Sequence, residues 1–287
     1  MPELPEVETV RAGLAAKITG LRLARVEQRR KDLRVPFPKG FVQRLEGRRV
    51  LSVGRRGKYL LWTFDDDAVL LAHLGMSGRM VLREGAPPKT NDQGGAQPAA
   101  AHEHVAFYFD GDTSVAFSDP RRFGLMTLTT VTEAPAHPLL AAMGPEPLEP
   151  AFDGEYLAAT FRGRKAPLKS ALMDQRLIAG LGNIYVCEAL YRARLSPWRL
   201  AGTVKGARAA VLADAIKTVL TEAIAAGGSS LRDYVQASGE LGYFQSSWSV
   251  YGREGKRCPD CAPTARCRIE RVTQAGRSTF YCRRQQR

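Results

Sequence analysis

The spacing of apolar residues changes along the chain, and this change restricts the possible fold more than any other feature. Between about residues 20 and 130, apolar and polar residues alternate with a period of two, as in VLSVGRRGKYLLWTF and HVAFYFD. These segments are rich in β-branched and aromatic residues, and Gly, Asp and Pro bound them, which is typical of strands. Several such strands in succession predict a β-sandwich or a barrel.

Helical spacing precedes and follows this β-rich region. Residues 3–19 are predicted to form an amphipathic helix. Its apolar residues recur at steps of three and four: Val7, Val10, Leu14 and Ile18. The helical period returns through roughly residues 155–235, interrupted by the turn GLGNIY. Between the two regions, APAHPLLAAMGPEPLEPAF is rich in proline and is interpreted as an interdomain linker.

The charge balance points to a polyanionic partner. The 287-residue chain has 42 Lys and Arg against 29 Asp and Glu, a net charge of +13. Nucleic acid is the commonest partner of so basic a protein, although a general contribution to solubility is the alternative. A chain of this length exceeds one ordinary core, so two or three domains are expected.

The sequence predicts a cytoplasmic protein. No apolar run approaches the ~20 residues that span a bilayer, and no basic region followed by an apolar stretch opens the chain. We therefore expect no membrane association. Four of the five cysteines crowd at the C-terminus, which suits a metal site in a reducing compartment better than a disulfide framework.

The C-terminal cysteines predict one structural zinc ion. Cys258 and Cys261 form a CxxC pair, and Cys282 follows after twenty residues, close to the spacing of a zinc ribbon. Gln285 stands where the fourth cysteine of a ribbon is expected, and Cys267 can replace it. The predicted ligands are therefore Cys258, Cys261, Cys267 and Cys282. A weak, degenerate site and a tail without metal are the alternatives.

Three further motifs place functional residue types on tight turns. GLGNIY sets Asn183 at a helix start, where backbone N–H groups suit an anion, although a plain turn between helices is the alternative. GRRGKYL places Lys58 directly after a glycine. HLGMSGR and DPRRFG put Met76, Arg121 and Phe123 on turns, where apolar side chains suit wedges between base pairs. For Met76 a core position is the alternative.

Two other observations concern catalysis. No Ser/His/Asp set, P-loop or HExxH motif is present, and His73 is interpreted as a hydrogen-bonding residue at a strand end.

The opening PELPEVE suits a helix start, because proline loses no hydrogen bond there and glutamates complement the helix dipole. These residues alone leave open whether they only cap the helix or also react.

Seven motifs occur in one chain and in this order: PELPEVE, HLGMSGR, DPRRFG, DQRLIAGLGNIY, SSLRDYV, GYFQ…VYGREG and GRSTFYC. Together they resemble the bacterial formamidopyrimidine-DNA glycosylases. PELPE, rather than the PEGPE of the related endonuclease VIII type, favours the branch that acts on oxidised purines. The implied fold is α+β and multidomain. It has an N-terminal β-sandwich with an N-terminal helix (1–135), a linker (136–152), a helix–two-turn–helix domain (153–250) and a zinc-finger β-hairpin (251–287).

The resemblance also implies an activity. The family repairs damaged double-stranded DNA by base excision, as a bifunctional glycosylase and abasic-site lyase, and a monomer is expected. With Met1 removed, Pro2 attacks C1′ of the flipped nucleotide, expels an oxidised purine (8-oxoguanine or a formamidopyrimidine) and forms a Schiff base. β,δ-Elimination follows. Glu3 is implied as general acid and base with Glu6 in support, and Lys58 as a catalytic lysine near the sugar and phosphate.

The implied DNA contacts fall into two groups. Residues that fill the gap left by the flipped nucleotide are Met76, Arg121 and Phe123. Residues that contact backbone phosphates are Lys169, Asn183 and Arg277. The loop SGELGYFQ lies where the family closes over the extruded base.

The chain departs from the family in the tail, where Gln285 replaces a cysteine and about four residues are added before the third ligand. The loop around residues 84–103 is also longer than usual and has no assigned role. Two alternatives remain open: the same fold acting on oxidised pyrimidines, and a DNA-binding or damage-sensing protein without catalysis.

Overall fold

The computed structural model describes residues 2–84, 102–230 and 235–287. The chain forms two compact units, each assembled from two stretches of sequence. The first unit is Met1–Ala141 with Gly227–Tyr243, and the second is Ala142–Ala226 with Phe244–Arg287. In the part of the chain described, no helix combines the length and the apolar character that crossing a bilayer requires.

The described residues of the first unit form two α-helices and two four-stranded antiparallel sheets. The helices are α1 (Leu4–Ile18) and α2 (Phe41–Leu45). The strands are β1 (Leu23–Gln28), β2 (Val50–Arg56), β3 (Tyr59–Phe64), β4 (Ala68–His73), β5 (Arg79–Glu84), β6 (Glu103–Phe109), β7 (Thr113–Ser118) and β8 (Leu125–Thr130). One sheet has the order β1-β6-β7-β5 and the other β2-β3-β4-β8.

Both sheets contribute to one hydrophobic core. All eight strands supply buried apolar side chains to it. Trp62 of β3 and Phe107 of β6 are fully buried, and their ring centroids lie 5.0 Å apart, which joins one sheet to the other. The predicted β-sandwich is therefore confirmed.

Helix α1 packs on the same core. Its four predicted apolar residues are at most 1% exposed: Val7, Val10, Leu14 and Ile18. Glu3 is the N-cap, and Pro5 stands in the first turn, where its missing N–H costs no hydrogen bond. Burial of a continuous stripe on α1 fixes the orientation of the helix, and this places the first residues of the chain against the sandwich.

The second unit is helical, with a C-terminal hairpin. Its helices are α3 (Gly154–Phe161), α4 (Leu168–Met173), α5 (Asn183–Arg192) and α6 (Ala207–Ala225). Strands β9 (Glu270–Gln274) and β10 (Arg277–Tyr281) pair antiparallel and form the predicted hairpin.

The predicted helical region is too long at its C-terminal end. Helix α6 ends at Ala225, not near residue 235. Gly227 and Gly228 follow with φ of +74° and +80°, a left-handed conformation that stops a right-handed helix. Ser229 then pairs with Tyr243 in an isolated antiparallel bridge.

A buried carboxylate joins α5 to the segment that precedes the hairpin. Glu188 is fully buried, and its two oxygens accept hydrogen bonds from the backbone N–H groups of Ser249, Val250 and Tyr251 at 2.8–2.9 Å. Charge-assisted bonds of this kind are about twice as strong as neutral ones. Glu188 therefore fixes the path of the chain into its last 35 residues.

Two loops of the first unit are joined by hydrogen bonds. Ser77 lies in the turn between β4 and β5, and Asp119 in the loop between β7 and β8. Ser77 Oγ donates to Asp119 Oδ1 at 2.6 Å and accepts from the N–H of Arg121 at 3.1 Å. The other oxygen of Asp119 accepts from the N–H of Gly124 at 2.7 Å. We call this pair of segments the paired loops.

The paired loops also touch through their backbones. Gly75 has φ of +66°, and a Cβ on it would lie 2.3 Å from the carbonyl carbon of Phe123. Only glycine permits this conformation and approach. The two loops therefore hold their residues at fixed relative positions.

Substitution of Asp119→Asn should weaken the paired loops. The amide replaces one acceptor with a donor, so one buried N–H or O–H loses its partner, and the free energy of unfolding should fall by about 2 kcal/mol. Chemical denaturation followed by circular dichroism measures this change. The matched control is the exposed Asp110→Asn in the same unit, which should change stability by less than about 0.5 kcal/mol. Equal stability of the two variants would contradict the assignment.

Candidate active site and metal centre

The start of the chain is buried and held in place. Pro2 is buried, and Glu3 and Glu6 are 3% and 2% exposed. Glu6 Oε2 accepts a hydrogen bond from the N–H of Glu3 at 2.8 Å, and Glu6 Oε1 accepts one from the N–H of Ser229 at 2.8 Å. Glu3 and Glu6 form a capping box, so the predicted capping role is confirmed. The residue beside Pro2 is thereby fixed rather than frayed.

Lys58 lies on a hairpin tip that is attached to the same helix. The tip joins β2 to β3 and turns at Gly57, whose φ is +56°. Arg55 Nε bonds Glu8 Oε2 of α1 at 2.8 Å, and Arg55 Nη1 donates to the carbonyl of Gly57 at 3.0 Å. Lys58 itself is only 7% exposed. The structure thus attaches the hairpin that carries this lysine to the helix that begins the chain.

His73 is neutral at neutral pH. It ends β4, and its Nδ1 accepts a hydrogen bond from the N–H of Gly75 at 2.9 Å, which confirms the predicted hydrogen-bonding role. Burial, together with the positive charges of Lys58 and Arg34, lowers the pKa of His73 to about 4. A neutral imidazole beside Lys58 adds no repelling charge to that lysine.

The paired loops bring together the three predicted gap-filling residues. Met76 is half-buried in one loop, while Arg121 and Phe123 are exposed on the other. Phe123 is 46% exposed, and the Arg121 guanidinium lies 4.9 Å from its ring centroid, within cation–π range. The Phe123 ring therefore does not belong to the hydrophobic core. An exposed aromatic ring on a fixed loop suits a surface that contacts a partner.

The predicted phosphate contacts meet in the second unit. Lys169 Nζ donates to the carbonyl of Ser278 at 3.1 Å and to Thr279 Oγ1 at 2.7 Å. Asn183 Nδ2 donates to the same Ser278 carbonyl at 2.8 Å, and Arg277 is the exposed neighbour of Ser278. A cavity of about 120 Å³ lies here, lined by Lys169, Ser170, Met173, Gln274, Ala275 and Arg277. Two cations therefore line one small cavity.

The four predicted metal-binding cysteines form one cluster. Cys258, Cys261, Cys267 and Cys282 are at most 7% exposed, and their Sγ atoms all lie within 4.8 Å of one another. The Sγ of Cys282 is 3.8 Å from that of Cys261 and 3.2 Å from that of Cys267. A tetrahedral ion with metal–sulfur bonds of ~2.3 Å needs sulfurs about 3.8 Å apart. The four thiols therefore fit a tetrahedral metal ion.

Sequence reasoning missed the residues that hold these groups in place. Asp119, Glu188 and Arg55 each fix a segment that carries predicted site residues. Asp119 stands inside the quoted motif DPRRFG, and Glu188 is the one acidic residue in NIYVCEALYRARL. A charged residue inside an apolar helical stretch indicates a buried hydrogen-bond or ion-pair partner, but the sequence alone does not show which residue that partner is.

Some sequence predictions fall outside the described residues. They are the removal of Met1, most of the long loop around 84–103, and part of the SSLRDYV motif.

Stability should depend on pH through His73. The pKa is near 6.5 when unfolded and about 4 when folded, so the unfolded chain binds more protons between these values. The contribution of His73 is complete above pH 6.5 and is lost as pH falls toward 4. His73→Asn keeps an acceptor for Gly75 but does not titrate. The wild type should lose about 3 kcal/mol more than this variant across that window, measured by denaturation at each pH. Equal losses would contradict the assignment.

Comparison with known proteins gives matches across the chain. Two family models match: the formamidopyrimidine-DNA glycosylase N-terminal domain over residues 1–126 and the formamidopyrimidine-DNA glycosylase H2TH domain over residues 143–235. Curated formamidopyrimidine-DNA glycosylases from Rhodospirillum centenum and Acidiphilium cryptum are 54% and 52% identical to the chain. Both alignments cover 100% of each protein.

Solved structures of formamidopyrimidine-DNA glycosylases also match the chain over its full length. The crystal structure of the MutM (Fpg) protein from Thermus thermophilus is 40% identical, with a TM-score of 0.85 over 99% of this chain and 98% of that chain. The Lactococcus lactis Fpg in complex with DNA containing an abasic site is 32% identical, with a TM-score of 0.85 over 100% of both chains. The chain therefore belongs to the formamidopyrimidine-DNA glycosylase family of DNA-repair enzymes.

Proposed function

We propose that the protein excises oxidised purines from double-stranded DNA through a Schiff base on Pro2 and then cleaves the abasic site. The observation that carries this proposal is the buried chain start, where Glu3 follows Pro2 and is held through its backbone N–H by Glu6. The Lactococcus lactis relatives were crystallised with DNA containing an abasic site or Fapy-dG, which supports damaged DNA as the substrate. The PELPE opening supports the oxidised-purine branch.

Pro2, freed of Met1, is the proposed nucleophile. An α-amino group titrates near pH 8, so about a tenth of it is neutral at pH 7, against about a twentieth of one per cent of an ordinary lysine. The neutral amine attacks C1′, and the bond from C1′ to the base breaks. The departing base takes the bonding electrons and a proton. The sugar ring then opens, and an iminium links Pro2 to C1′.

The iminium makes strand cleavage possible. Because a secondary amine condenses to a permanent cation, it withdraws electrons from the sugar. Loss of a proton from C2′ expels the 3′ phosphate, and a second elimination expels the 5′ phosphate. Glu3 is the proposed group that supplies and removes these protons, and Glu6 keeps Glu3 in place through its backbone.

Lys58 is the proposed partner of the sugar and its phosphate. Its hairpin is attached to α1 by the Arg55–Glu8 ion pair, so its ammonium keeps a defined position relative to the start of that helix. A lysine that is 7% exposed attracts an anion more strongly than one in open water.

The remaining residues have proposed roles in holding the DNA. The amine reaches C1′ only after the nucleotide is flipped, and unstacking costs a few kcal/mol. Met76, Arg121 and Phe123 on the paired loops fill the gap, which lowers the cost of keeping the duplex open. Lys169 and Arg277, at the small cavity of the second unit, contact phosphates together with Asn183.

The cysteine cluster is the proposed site of one structural zinc ion. Cys258, Cys261, Cys267 and Cys282 supply four thiolates, the donor set that zinc prefers in structural sites. When bound, zinc supplies folding free energy to a tail too small to form a core of its own. The tail in turn positions Arg277 on its hairpin.

Borohydride trapping tests the nucleophile. Incubation with a duplex containing 8-oxoguanine and borohydride should yield a covalent protein–DNA complex. Pro2→Gly should reduce the trapped fraction by at least about tenfold, because it replaces the secondary amine. Pro5→Gly, a proline in the first turn of the same helix, is the matched control and should trap normally. No trapped complex, or a Pro2→Gly variant equal to the wild type, would reject the proposal.

A lesion panel separates the alternatives. Excision of 8-oxoguanine much faster than thymine glycol supports the oxidised-purine branch, and the reverse order favours oxidised pyrimidines. Lesion binding that weakens steeply with salt, without strand scission at any lesion, identifies a damage-binding protein instead.

A further inference from the structure

Two polar side chains outside the cysteine cluster lie within hydrogen-bond distance of its sulfur atoms. The hydroxyl oxygen of Tyr191 lies 3.2 Å from the Sγ of Cys258, and the Nε2 of Gln285 lies 3.5 Å from the Sγ of Cys261. Tyr191 belongs to α5 and precedes Cys258 by 67 residues. Both distances suit hydrogen bonds to sulfur, whose radius exceeds that of oxygen.

A four-thiolate metal site needs such donors. Four thiolates around a divalent ion leave a net charge of −2, and all four cysteines are at most 7% exposed. Charge buried to this degree is costly unless hydrogen-bond donors compensate for the lost water.

Backbone amides of three ligands bond elsewhere. The N–H groups of Cys258, Cys267 and Cys282 donate to oxygens, at 3.4, 2.7 and 2.8 Å. Their acceptors are the carbonyls of Cys267 and Ala265 and the side chain of Gln286.

We propose that Tyr191 and Gln285 are positioning residues of the metal centre and that they donate hydrogen bonds to the metal-bound sulfurs of Cys258 and Cys261. This inference rests on the metal site proposed above. It gives Gln285 a role at the position where a zinc ribbon usually has its fourth cysteine. Gln285 also donates to the carbonyl of Asp260 at 2.9 Å, which orients its amide toward the cluster.

Tyr191 has a further consequence for the second unit. It is 3% exposed and packs in one apolar cluster with Cys187, Val250 and the four metal-binding cysteines. A hydrogen bond from Tyr191 to Cys258 therefore joins α5 directly to the metal centre. The Asp260 carboxylate lies near the Tyr191 hydroxyl and is the alternative acceptor for its proton.

Cobalt(II) substitution tests the inference without an activity assay. Cobalt(II) in a tetrahedral thiolate site has visible ligand-field bands and near-ultraviolet sulfur-to-metal charge-transfer bands. In the full chain, Tyr191→Phe should leave the ligand-field bands of four sulfurs in place, because no ligand is lost. The charge-transfer band should move to longer wavelength, because a sulfur without its donor gives up an electron more easily. Zinc affinity, measured against a chromogenic chelator, should fall about tenfold.

Two further variants complete the comparison. Gln285→Leu removes the second donor and should shift the same band with an affinity loss of about threefold, since its bond is longer. Tyr156→Phe is the matched control, because its hydroxyl donates to the carbonyl of Leu177 in the same unit, and it should change neither quantity.

The outcomes are distinguishable. A wild-type cobalt spectrum without tetrahedral thiolate bands overturns the metal site and this inference with it. A second outcome is that the wild type shows tetrahedral thiolate bands while Tyr191→Phe and Gln285→Leu match Tyr156→Phe in band position and zinc affinity. That result supports the metal site and overturns only the role of Tyr191 and Gln285. Donation of the Tyr191 proton to Asp260 instead of Cys258 would appear as an unshifted band in Tyr191→Phe and counts against the role of Tyr191.

Discussion

A single buried carboxylate fixes the start of the chain, and the candidate active site depends on it. Glu6 accepts the N–H of Glu3 with one oxygen and the N–H of Ser229, 223 residues away, with the other. Backbone hydrogen bonds to a charged acceptor inside a protein are strong because little water competes for them. The first residues of a chain are ordinarily frayed, and here Pro2 and Glu3 are buried. A reactive amine gains from this, since a fixed nucleophile loses little entropy on reaching its target.

The same kind of interaction recurs at the other functional segments. Asp119 joins the paired loops that carry Met76, Arg121 and Phe123, and Glu188 joins α5 to the segment that leads into the metal-binding tail. Each carboxylate accepts hydrogen bonds from backbone or hydroxyl groups of a segment distant from its own in sequence. In a chain with 42 Lys and Arg and only 29 Asp and Glu, these buried acids organise the fold, while most of the described basic residues, Lys58 and Lys169 excepted, lie at least partly exposed.

The period of apolar residues predicted the helices and strands of this fold. It did not predict contacts between residues that are far apart in sequence. Helix α1 and the sandwich follow from local alternation, because burial of one face imposes a period on the sequence. The cysteine cluster was also predictable, since few residue types bind metal and Cys267 was the available substitute for a ligand at Gln285. The bonds of Glu6 with Ser229 and of Glu188 with Val250 leave no such pattern. For these residues the sequence shows only that an acidic residue is present. The end of α6 was also predicted wrongly, because it depends on the positive φ of Gly227 and Gly228.

In the proposed reaction the amine of Pro2 forms the covalent bond to DNA. Proteolysis of the borohydride-reduced complex, followed by mass spectrometry, locates that bond most directly. We expect a sugar remnant on the peptide that begins with Pro2, with Met1 absent. A remnant on Lys58 or another lysine, or lesion cleavage at full rate by protein that retains Met1, would contradict it.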